Sequence, residues 1–429
     1  MNSIHPERLP SLVYANDEGE IIDFPDLQMA GASAGEPCLP ELVDLVPLPE
    51  GSELFVLPGR RPVGFDPGTG EMVHLEEDPN SPGRGARAVA AFVAPAHTAI
   101  YSAAYETTEG APVLPLFAYT AVGWREGKFW AAVFRSDPDV RQDFSKFRQS
   151  RIDRKTREKL QEYPNNRLIQ HLGKCCLTYG CPAARNYFLG RWEAPLPTSP
   201  ACNARCVGCI SLQESGCCPS TQDRIAFVPT VREITEVAVE HLENCERAIV
   251  SFGQGCEGEP LLQAKVIAEA IRAMRKATAR GTINLNSNAS LPGKVEELAG
   301  AGLDSIRVSM NSARDDKHGL YYRPQGFSLE QARESIRVMK RAGRFVSLNY
   351  FILPGFTDDP AETCALHALI EECRPDFIQL RNLNMDPEWY LATVAHQPAG
   401  KPLGIRAWLA GLKSAFPRLG FGYFNPPLR

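Results

Sequence analysis

Cys202, Cys206 and Cys209 follow one another at C-x3-C-x2-C spacing, on a segment that the pattern predicts to be a loop directly after a strand. Cysteine thiolates are the ligands of iron–sulfur clusters, and three of them can hold three irons of a [4Fe-4S] cube. The fourth iron then has no protein ligand and can bind a small molecule. The chemistry that this spacing indicates is therefore that of a cluster with one open iron.

The same three thiolates have two other interpretations. They could bind zinc, which needs a fourth ligand to complete a tetrahedron. Cys181, Cys217 or Cys218 could provide that ligand. They could also be free thiols without a metal. The secondary structure predicted around the loop helps to choose between an iron–sulfur cluster, a zinc ion and free thiols.

Strand and helix signals alternate after the cysteines. The predicted strands cover residues 248–252, 282–287, 305–311, 345–352 and 377–381. Two of the intervening helices begin with a capping box, formed by Thr230 with Glu233 and by Ser328 with Gln331. With a first strand near residues 193–198, the pattern gives about six βα units. It predicts an α/β fold whose parallel sheet curls into a partial (β/α)6 TIM-like barrel.

The rest of the chain has a different texture. The N-terminal part contains strand and turn signals, including a hairpin of residues 117–124 and 128–135. The charged run 141–166 is predicted to be a solvated linking helix. We therefore expect a β-rich domain at 1–140, a linking helix and cysteine-containing segment at 141–190, the partial barrel at 191–385 and a C-terminal extension at 386–429.

Polar residues occupy every second position of the predicted barrel strands. They are Thr282, Asn284, Asn286 and Asn288, then Ser305, Arg307, Ser309 and Asn311, then Ser347 and Asn349, and finally Gln379 and Arg381. In a barrel whose outside is covered by helices, these polar residues must face the inside. Because so many amides and two guanidinium groups are costly to pack dry, we expect an open, wet chamber that holds polar ligands. The alternative is a conventional apolar core with the register shifted by one residue.

Composition excludes several classes of protein. Of the 429 residues, 44% are hydrophobic and 23% charged, enough for two or three domains. The formal net charge of −5 argues against broad binding to nucleic acid or to an anionic membrane. The chain shows neither a signal peptide over Met1 to Pro10 nor a membrane span. We expect a cytoplasmic protein whose thirteen cysteines serve metals or catalysis more than disulfides.

A glycine-rich turn, residues 253–260, follows the second predicted strand. Its glycines let the backbone approach a ligand closely, and Glu259 can accept a hydrogen bond from an ammonium group. Together with the three cysteines one strand earlier, this turn resembles the radical S-adenosylmethionine (radical SAM) superfamily. Members of that superfamily carry the cluster loop and a Gly-Gly-Glu-Pro type motif at the ends of the first two barrel strands. The resemblance covers residues 192–383.

The resemblance implies a set of site residues. In the superfamily, S-adenosylmethionine binds the open iron, and an electron from the cluster breaks a carbon–sulfur bond to give a 5'-deoxyadenosyl radical. Cys202, Cys206 and Cys209 would hold the cluster. The implied cofactor contacts are Gly258 and Glu259 for the methionine ammonium, Asn286 and Asn288 on the third strand, Ser309 and Asn311 for the ribose, and Gly355 for the adenine. Arg307 is a further candidate, for the methionine carboxylate, because its fork of donors suits it.

Gly208 departs from the superfamily pattern. Many members have an aromatic residue directly before the third cysteine, and that residue packs on the adenine. Here Phe351 or Phe356 could supply the contact. Ala289 also stands where many members have glycine.

The remaining cysteines raise the question of a second cluster. Cys175, Cys176, Cys181, Cys217 and Cys218 flank the first barrel strand and the cluster loop. Four thiolates from this group would suffice for an auxiliary iron–sulfur cluster. The alternative is that they are small buried residues or free thiols. Cys256 and the single histidines His241, His318 and His367 are interpreted as packing or surface residues.

The predicted function is that of a radical SAM oxidoreductase or transferase. It would abstract hydrogen from a polar substrate, a metabolite or a peptide, and it would need an electron donor such as flavodoxin or ferredoxin. Modification of a peptide or protein is the first choice, because the N-terminal domain is large enough to dock one. Membrane partners are not expected, and nucleic acid is an unlikely one. The alternatives are a non-catalytic iron–sulfur electron carrier and a structural zinc protein. A zinc hydrolase is disfavoured because the strand ends lack the histidine and carboxylate ligands that it requires.

Overall fold

The computed structural model describes residues 8–141, 143–213, 216 and 218–429. By contact, the chain divides into two compact units, and each of them is discontinuous in sequence. The first comprises the described residues up to Pro138 together with Phe351–Thr363 and Arg381–Ala415. The second comprises Asp139–Tyr350, Cys364–Leu380 and Phe416–Arg429. The four contiguous domains expected from the sequence remain a prediction.

The first unit is rich in β-structure, as predicted. Its strands are β1 Ser11–Ala15, β2 Ile21–Met29, β3 Gly31–Ser33, β4 Glu36–Cys38, β5 Leu45–Pro47, β6 Glu53–Val56, β7 Arg60–Asp66, β8 Glu71–His74, β9 Arg87–Phe92, β10 His97–Ala99, β11 Ser102–Ala103, β12 Tyr105–Thr107, β13 Val122–Arg125 and β14 Lys128–Arg135, with a 3-10 turn at Leu42–Asp44. They form an eleven-stranded antiparallel sheet and a three-stranded one. Small and β-branched residues such as Ala91, Ala131 and Val133 fill the core between them.

The predicted hairpin in this unit is confirmed as the pair β13–β14. Arg125 pairs with Lys128 across the turn. Glu126 and Gly127 both have positive φ, 53° and 75°, which matches the right-handed twist of the flanking strands. The first strand begins at Val122, five residues later than the pattern predicted, which leaves residues 117–121 outside it.

A buried ion pair joins distant parts of the first unit. Arg60 donates from Nη2 to Oδ2 of Asp386 at 2.8 Å, and both side chains are almost fully buried. The same carboxylate oxygen accepts a hydrogen bond from the Leu114 amide at 2.9 Å. Removal of either partner would leave an uncompensated buried charge. The pair therefore holds the 381–415 segment against the N-terminal strands.

The second unit contains three helices and then a parallel sheet. Its elements are a 3-10 turn at Phe144–Lys146, α1 Gln149–Glu162, α2 Arg167–Thr178, α3 Pro182–Phe188, β15 Glu193–Pro195, α4 Val231–Asn244, β16 Ile249–Phe252, a 3-10 turn at Pro260–Gln263, α5 Ala264–Ala277, β17 Thr282–Ser287, α6 Pro292–Ala301, β18 Ser305–Met310, α7 Asp315–Tyr322, α8 Leu329–Arg341, β19 Phe345–Ile352, α9 Pro360–Cys373 and β20 Phe377–Asn382. Helices α10 Pro387–Thr393 and α11 Ile405–Ala415 belong to the first unit, and strand β21 Gly420–Gly422 returns to the sheet. None of the described helices is both long and apolar enough to cross a bilayer.

The sheet has the architecture that the alternation predicted. Its strands lie in the order β15 to β21, and neighbouring strands such as β16, β17 and β18 run parallel. The α/β partial barrel is therefore confirmed, with one strand more than the six predicted. Both predicted capping boxes are present, at the starts of α4 and α8. The charged linking helix is α1, where only Ile152 and Thr156 are buried among its described residues.

The alternating polar residues of the strands lie on one face of the sheet. Part of that face is buried from solvent. Asn284 donates to the hydroxyl of Ser251 at 3.2 Å and to Oδ1 of Asn286 at 2.8 Å. Ser305 donates to Oδ1 of Asn284 at 2.7 Å. All four side chains are buried. Apart from Nδ2 of Asn286, the polar groups at this level of the sheet hydrogen-bond to one another.

A residue from the C-terminal segment completes this network. Asn425 donates to Oε1 of Glu193 at 2.8 Å and accepts a hydrogen bond from Nε2 of Gln379 at 2.8 Å. Gln379 in turn accepts from Arg307 at 3.1 Å. The expectation of an open, wet chamber is wrong for this part of the sheet because Asn425 supplies the polar partners that the strands lack.

Candidate functional site

The three cysteines lie on the loop between β15 and α4, and all three are partly buried. Burial raises the pKa of Cys202 to about 11, with a further contribution from the charge of Glu259. Burial also raises the pKa of Cys206 well above its ordinary value, followed by the charges of Cys209 and Cys202. The three sulfur atoms are therefore near enough to act on one another electrostatically. Burial alone thus keeps these thiols protonated, and a bound metal would supply the positive charge that stabilises them as thiolates.

An arginine that the sequence analysis did not select contacts the third cysteine. Arg224 donates from Nη2 to Sγ of Cys209 at 3.3 Å, and from Nε to the hydroxyl of Ser211 at 3.1 Å. A guanidinium group in this position stabilises negative charge on the sulfur. It lies fifteen residues after the cysteine along the chain, so no local motif identifies it.

The glycine-rich turn after β16 braces the cysteine loop through its backbone. The Gly258 amide donates to the carbonyl of Ser199 at 2.7 Å, and the Glu259 amide donates to the carbonyl of Ala201 at 2.9 Å. A methyl group at Gly258 would lie 2.5 Å from the carbonyl carbon of Ala201 and closer still to its oxygen. Only glycine therefore allows the turn to approach the loop this closely.

Glu257 is the central brace, and the sequence analysis missed it. One carboxylate oxygen accepts from the amides of Gly253 at 2.7 Å and Gln254 at 2.9 Å. The other accepts from the amides of Thr198 at 2.8 Å and Ser199 at 3.0 Å. Burial outweighs these backbone donors and raises the pKa of Glu257 to about 7. The carboxylate thus joins the end of β16 to the segment that enters the cysteine loop. The available signal was a second acidic residue, besides Glu259, in the glycine-rich turn.

Glu259 has hydrogen bonds of its own within the chain. Its Oε1 accepts from the hydroxyl of Ser287 at 2.6 Å and from the Leu261 amide at 3.0 Å, and its Oε2 accepts from the Asn288 amide at 2.9 Å. Burial raises its pKa to about 7. The carboxylate fixes the end of β17 against the turn. Its predicted contact with an ammonium group stays a prediction.

Two further contacts hold the cysteine loop from other sides. Asn288 donates from Nδ2 to Oδ1 of Asn203 at 2.9 Å, within the loop itself. The amides of Arg205 and Val207 donate to the carbonyls of Tyr322 and Tyr321, each at 3.0 Å. The cysteines are therefore presented by a loop that β17 and the end of α7 both support. The predicted cofactor contact of Asn288 stays a prediction.

Asn286 offers a buried donor that none of the described residues uses. Its Oδ1 accepts from Asn284, but its Nδ2 is buried and has no hydrogen-bond partner among the described residues. Oδ1 of Asn349, on β19, is likewise buried and unpartnered within the described part of the chain. Since native proteins rarely leave such groups unsatisfied, the two amides fit a polar ligand at this face of the sheet. The residues at this face therefore fit a polar cofactor.

The predicted cofactor contacts on and directly after β18 differ in their burial. Arg307 is half-buried and donates to Gln379 at 3.1 Å. Ser309 is half-buried and lies in register with Asn349. Asn311 is fully buried, and its Nδ2 donates to the carbonyl of Lys317 at 3.2 Å, at the start of α7. The ligand roles of all three stay predictions.

The segment predicted to meet the adenine belongs to the first unit. Gly355 has φ of 87° and packs against the backbone of Ala34, whose amide donates to the carbonyl of Pro354 at 2.7 Å. Phe356 is buried edge-on against Tyr390, with ring centroids 5.2 Å apart. Phe356 is thus a core residue, which leaves Phe351 as the aromatic candidate. The assignment of Gly355 stays a prediction.

The additional cysteines do not act as one group. Cys176 contacts the hydroxyl of Thr156 on α1 at 3.4 Å, whereas Cys175 lies near His171 and Cys256. Cys181 is the residue before α3, and Cys218 is buried. Cys217 lies outside the described residues. The auxiliary iron–sulfur cluster stays a prediction.

His318 on α7 is buried in a neutral state. Neither ring nitrogen has a hydrogen-bond partner among the residues described, and the ring lies 4.5 Å from that of Tyr322. Burial, followed by the charge of Arg333, lowers its pKa from 6.5 to about 4. This agrees with its interpretation as a packing residue.

We expect His318→Phe to make the protein less sensitive to acid. A histidine with a depressed pKa contributes stability that is present above its unfolded pKa and is lost as the pH falls towards its folded pKa, here from 6.5 to about 4. The loss amounts to about 3 kcal/mol over that range. Urea unfolding of wild type and variant at two pH values within and above this window measures it. An equal fall in stability for both proteins would contradict the prediction.

Comparisons with known proteins add the following. Residues 196–367 match the family model described as the Radical SAM superfamily. No curated protein is significantly similar to the chain.

Three of the solved structures that match the chain at low identity are the following. The FeFe-hydrogenase maturase HydG from Carboxydothermus hydrogenoformans is 14% identical, with 64% of this chain and 70% of that chain covered and a TM-score of 0.37. SuiB from Streptococcus suis, bound to its precursor peptide SuiA, is 12% identical over 62% of this chain and 54% of that one, at a TM-score of 0.37. A radical SAM methyltransferase from Sphaerobacter thermophilus is 16% identical over 54% and 66%, at a TM-score of 0.37.

Proposed function

The chain belongs to the radical SAM superfamily through residues 196–367, and from this premise we propose that it abstracts hydrogen from a polar substrate. Its cofactors are a [4Fe-4S] cluster and S-adenosylmethionine. Cys202, Cys206 and Cys209 are the proposed cluster ligands. Together the two cofactors supply a 5'-deoxyadenosyl radical when they are bound.

One observation carries this proposal. The three cysteines lie on a loop after the first strand of a parallel sheet, and the turn after the second strand hydrogen-bonds to that loop through Gly258 and Glu259. Ligand sites of α/β sheets lie at this end of the strands. A simple electron carrier does not need two buried amide groups, on β17 and β19, that lack partners among the described residues, whereas an enzyme that binds a polar cofactor and substrate does.

The chain's own groups have distinct tasks in this proposal. Arg224 neutralises charge at Cys209, and Glu257 keeps the loop at a fixed distance from the turn. Nδ2 of Asn286 and Oδ1 of Asn349 are the donor and the acceptor for polar ligand groups. Ser309 and Arg307 are half-buried on the strand between them and complete a polar surface. Fixed polar groups of this kind orient a ligand and cost no reorganisation.

The substrate and partner assignments rest on the polarity of this surface. We propose a polar metabolite or a peptide as substrate, because amides and a guanidinium group recognise peptide-like groups well. A small reductant protein of the flavodoxin or ferredoxin type is the proposed electron donor, in the cytoplasm. The reaction product decides whether the enzyme is an oxidoreductase or a transferase, and analysis of the products would identify it.

The test is formation of 5'-deoxyadenosine. We expect the anaerobically reconstituted protein to form it from S-adenosylmethionine after reduction, and Cys206→Ala to form none above background. Cys364→Ala is the matched control, since Cys364 is an exposed cysteine on α9, and it should retain activity. Wild-type protein that holds its cluster but forms no 5'-deoxyadenosine would refute the enzymatic proposal.

We expect Arg224→Gln to lower the reduction potential of the cluster. The guanidinium group donates to Sγ of Cys209 at 3.3 Å, and its positive charge favours the more negative, reduced state. A charge-assisted hydrogen bond is worth about 1.5–3 kcal/mol, which corresponds to roughly 60–130 mV for one electron. A redox titration followed by electron paramagnetic resonance measures the shift. Arg205→Gln, which removes an exposed arginine from the same loop, should change the potential less.

A further inference from the structure

A histidine and two cysteines meet in the second unit, away from the three cysteines of the cluster loop in sequence. His171 and Cys175 lie one turn apart on α2, and Cys256 lies in the glycine-rich turn after β16. Nε2 of His171 is 3.6 Å from Sγ of Cys175, and the ligand atoms of all three residues lie within 4.8 Å of one another. Cys175 and Cys256 are buried, with 1% and 4% of their surfaces exposed.

These separations fit one metal ion. Zinc binds cysteine sulfur at about 2.3 Å and histidine nitrogen at about 2.0–2.1 Å with tetrahedral angles, which places the two ligand atoms roughly 3.6 Å apart. The distance between His171 and Cys175 has this value. In an iron–sulfur cube each thiolate binds a different iron, so the sulfur atoms lie farther apart. The cluster of residues therefore suits a mononuclear ion better than a second cube.

We propose that His171, Cys175 and Cys256 bind a zinc ion, with Cys181 as the fourth ligand. Imidazole and thiolate are the ligand types that zinc prefers in closed structural sites. Cys181 is the next cysteine after the pair Cys175 and Cys176, and its amide donates to the carbonyl of Cys175 at 3.1 Å. Its sulfur is outside the group of ligand atoms that lie within 4.8 Å of one another, so its side chain would have to move to reach the ion. Cys176 is excluded, since its sulfur contacts Thr156 on α1.

The position of Cys256 gives this site a role. The next residue is Glu257, whose carboxylate joins the end of β16 to the entry of the cysteine loop. The Cys256 carbonyl also accepts from the Ile225 amide at 2.8 Å. A zinc ion here would attach α2 to the turn and hold Glu257 in place, so it acts as a structural clamp. The proposal does not depend on the radical reaction.

The test is metal analysis of the full-length protein as isolated without added zinc chelators. We expect about one zinc ion per chain in addition to the cluster iron, and a zinc-edge X-ray absorption spectrum with sulfur and nitrogen ligands. Cys256→Ser should lose the zinc, whereas Cys176→Ser, a matched change one residue along the same helix, should retain it. Cobalt offered in place of zinc should give thiolate-to-metal absorption bands in wild type and not in Cys256→Ser.

Three results would overturn the proposal. The first is wild-type protein with no zinc, or zinc that Cys256→Ser retains in full. The second is iron in the amount of a second cluster, which would support the auxiliary cluster instead. The third is a Cys175–Cys256 disulfide in the isolated protein, detected by mass spectrometry of unreduced peptides. Because the absorption spectrum is recorded on wild type, the proposal stays testable even if the variant does not fold.

Discussion

Gly258→Ala is expected to reduce cluster binding severely. A methyl group at this position would lie 2.5 Å from the carbonyl carbon of Ala201 and 3.1 Å from the amide nitrogen of Cys202. All the nearest atoms are backbone, so no side-chain rotation relieves the overlap, and the loop that carries Cys202 has to move. Since iron–sulfur ligation depends on sulfur positions within a few tenths of an ångström, we expect iron content to fall roughly tenfold.

The control for this prediction is another glycine in the same unit. A methyl group at Gly300, on α6, would meet nothing within 4 Å, and alanine favours the helix. Gly300→Ala should therefore bind iron as wild type does. Iron content and visible absorption after anaerobic reconstitution, with 5'-deoxyadenosine formation as the second readout, provide the measurement. If Gly258→Ala binds iron fully, the close approach of the two backbones is not required for the cluster.

Glu257→Gln is expected to destabilise the second unit strongly. Each carboxylate oxygen accepts from two backbone amides, those of Gly253 and Gln254 on one side and of Thr198 and Ser199 on the other. Glutamine replaces one carboxylate oxygen with an NH2 group. That group is a donor and cannot accept hydrogen bonds, so the two backbone amides that face it are left buried and unsatisfied. At about 1–3 kcal/mol for each amide, the loss is roughly 2–6 kcal/mol.

Urea unfolding of the cluster-free and cluster-bound protein measures this loss. Glu296→Gln is the control, because Glu296 is exposed on α6 and its replacement should change the free energy of unfolding by less than about 0.5 kcal/mol. We also expect Glu257→Gln to bind less iron, because the entry to the cysteine loop loses its attachment to β16. A variant as stable as the control would mean that water or local rearrangement satisfies the amides.

The barrel was predictable because its signals are local. Four of the six predicted strands are runs of alternating residues, and the capping boxes at Thr230 and Ser328 mark helix starts within four residues. Strand β21 was missed because Gly420–Gly422 is three residues long and carries no alternation. Helix α3 was not predicted because its seven residues are too few to show a period. Helix α2 was also missed, although its buried residues Leu168, Leu172 and Cys175 recur at helical spacing.

The site was predictable only where a motif is contiguous. The cysteines and the turn with Gly258 are short motifs, and the structure brings the two segments together through backbone hydrogen bonds. Arg224 and Asn425 contact the site or its supporting sheet from distant positions, and no spacing identifies them. The wet interior was predicted because each strand was considered alone, whereas Asn425 is the partner that makes the polar face dry.

His171 shows the same limit for metal sites. Its spacing to Cys175 places both residues on one face of a helix, a pattern that sequence can reveal. The third residue, Cys256, lies beyond the whole cluster loop and two further helical or strand elements. Only the folded chain brings it to the other two.

The interleaving of the two units has a consequence for synthesis of the chain. The buried pair of Arg60 and Asp386 joins residues separated by 326 positions, and the contact of Glu193 with Asn425 joins residues separated by 232. Neither unit can complete its native contacts on the ribosome until residues near 386 and 425 have emerged. Contacts this distant slow folding, and the half-formed sheet exposes unsatisfied polar groups during translation. Each unit therefore reaches its full set of native contacts only after its C-terminal segment has been synthesised.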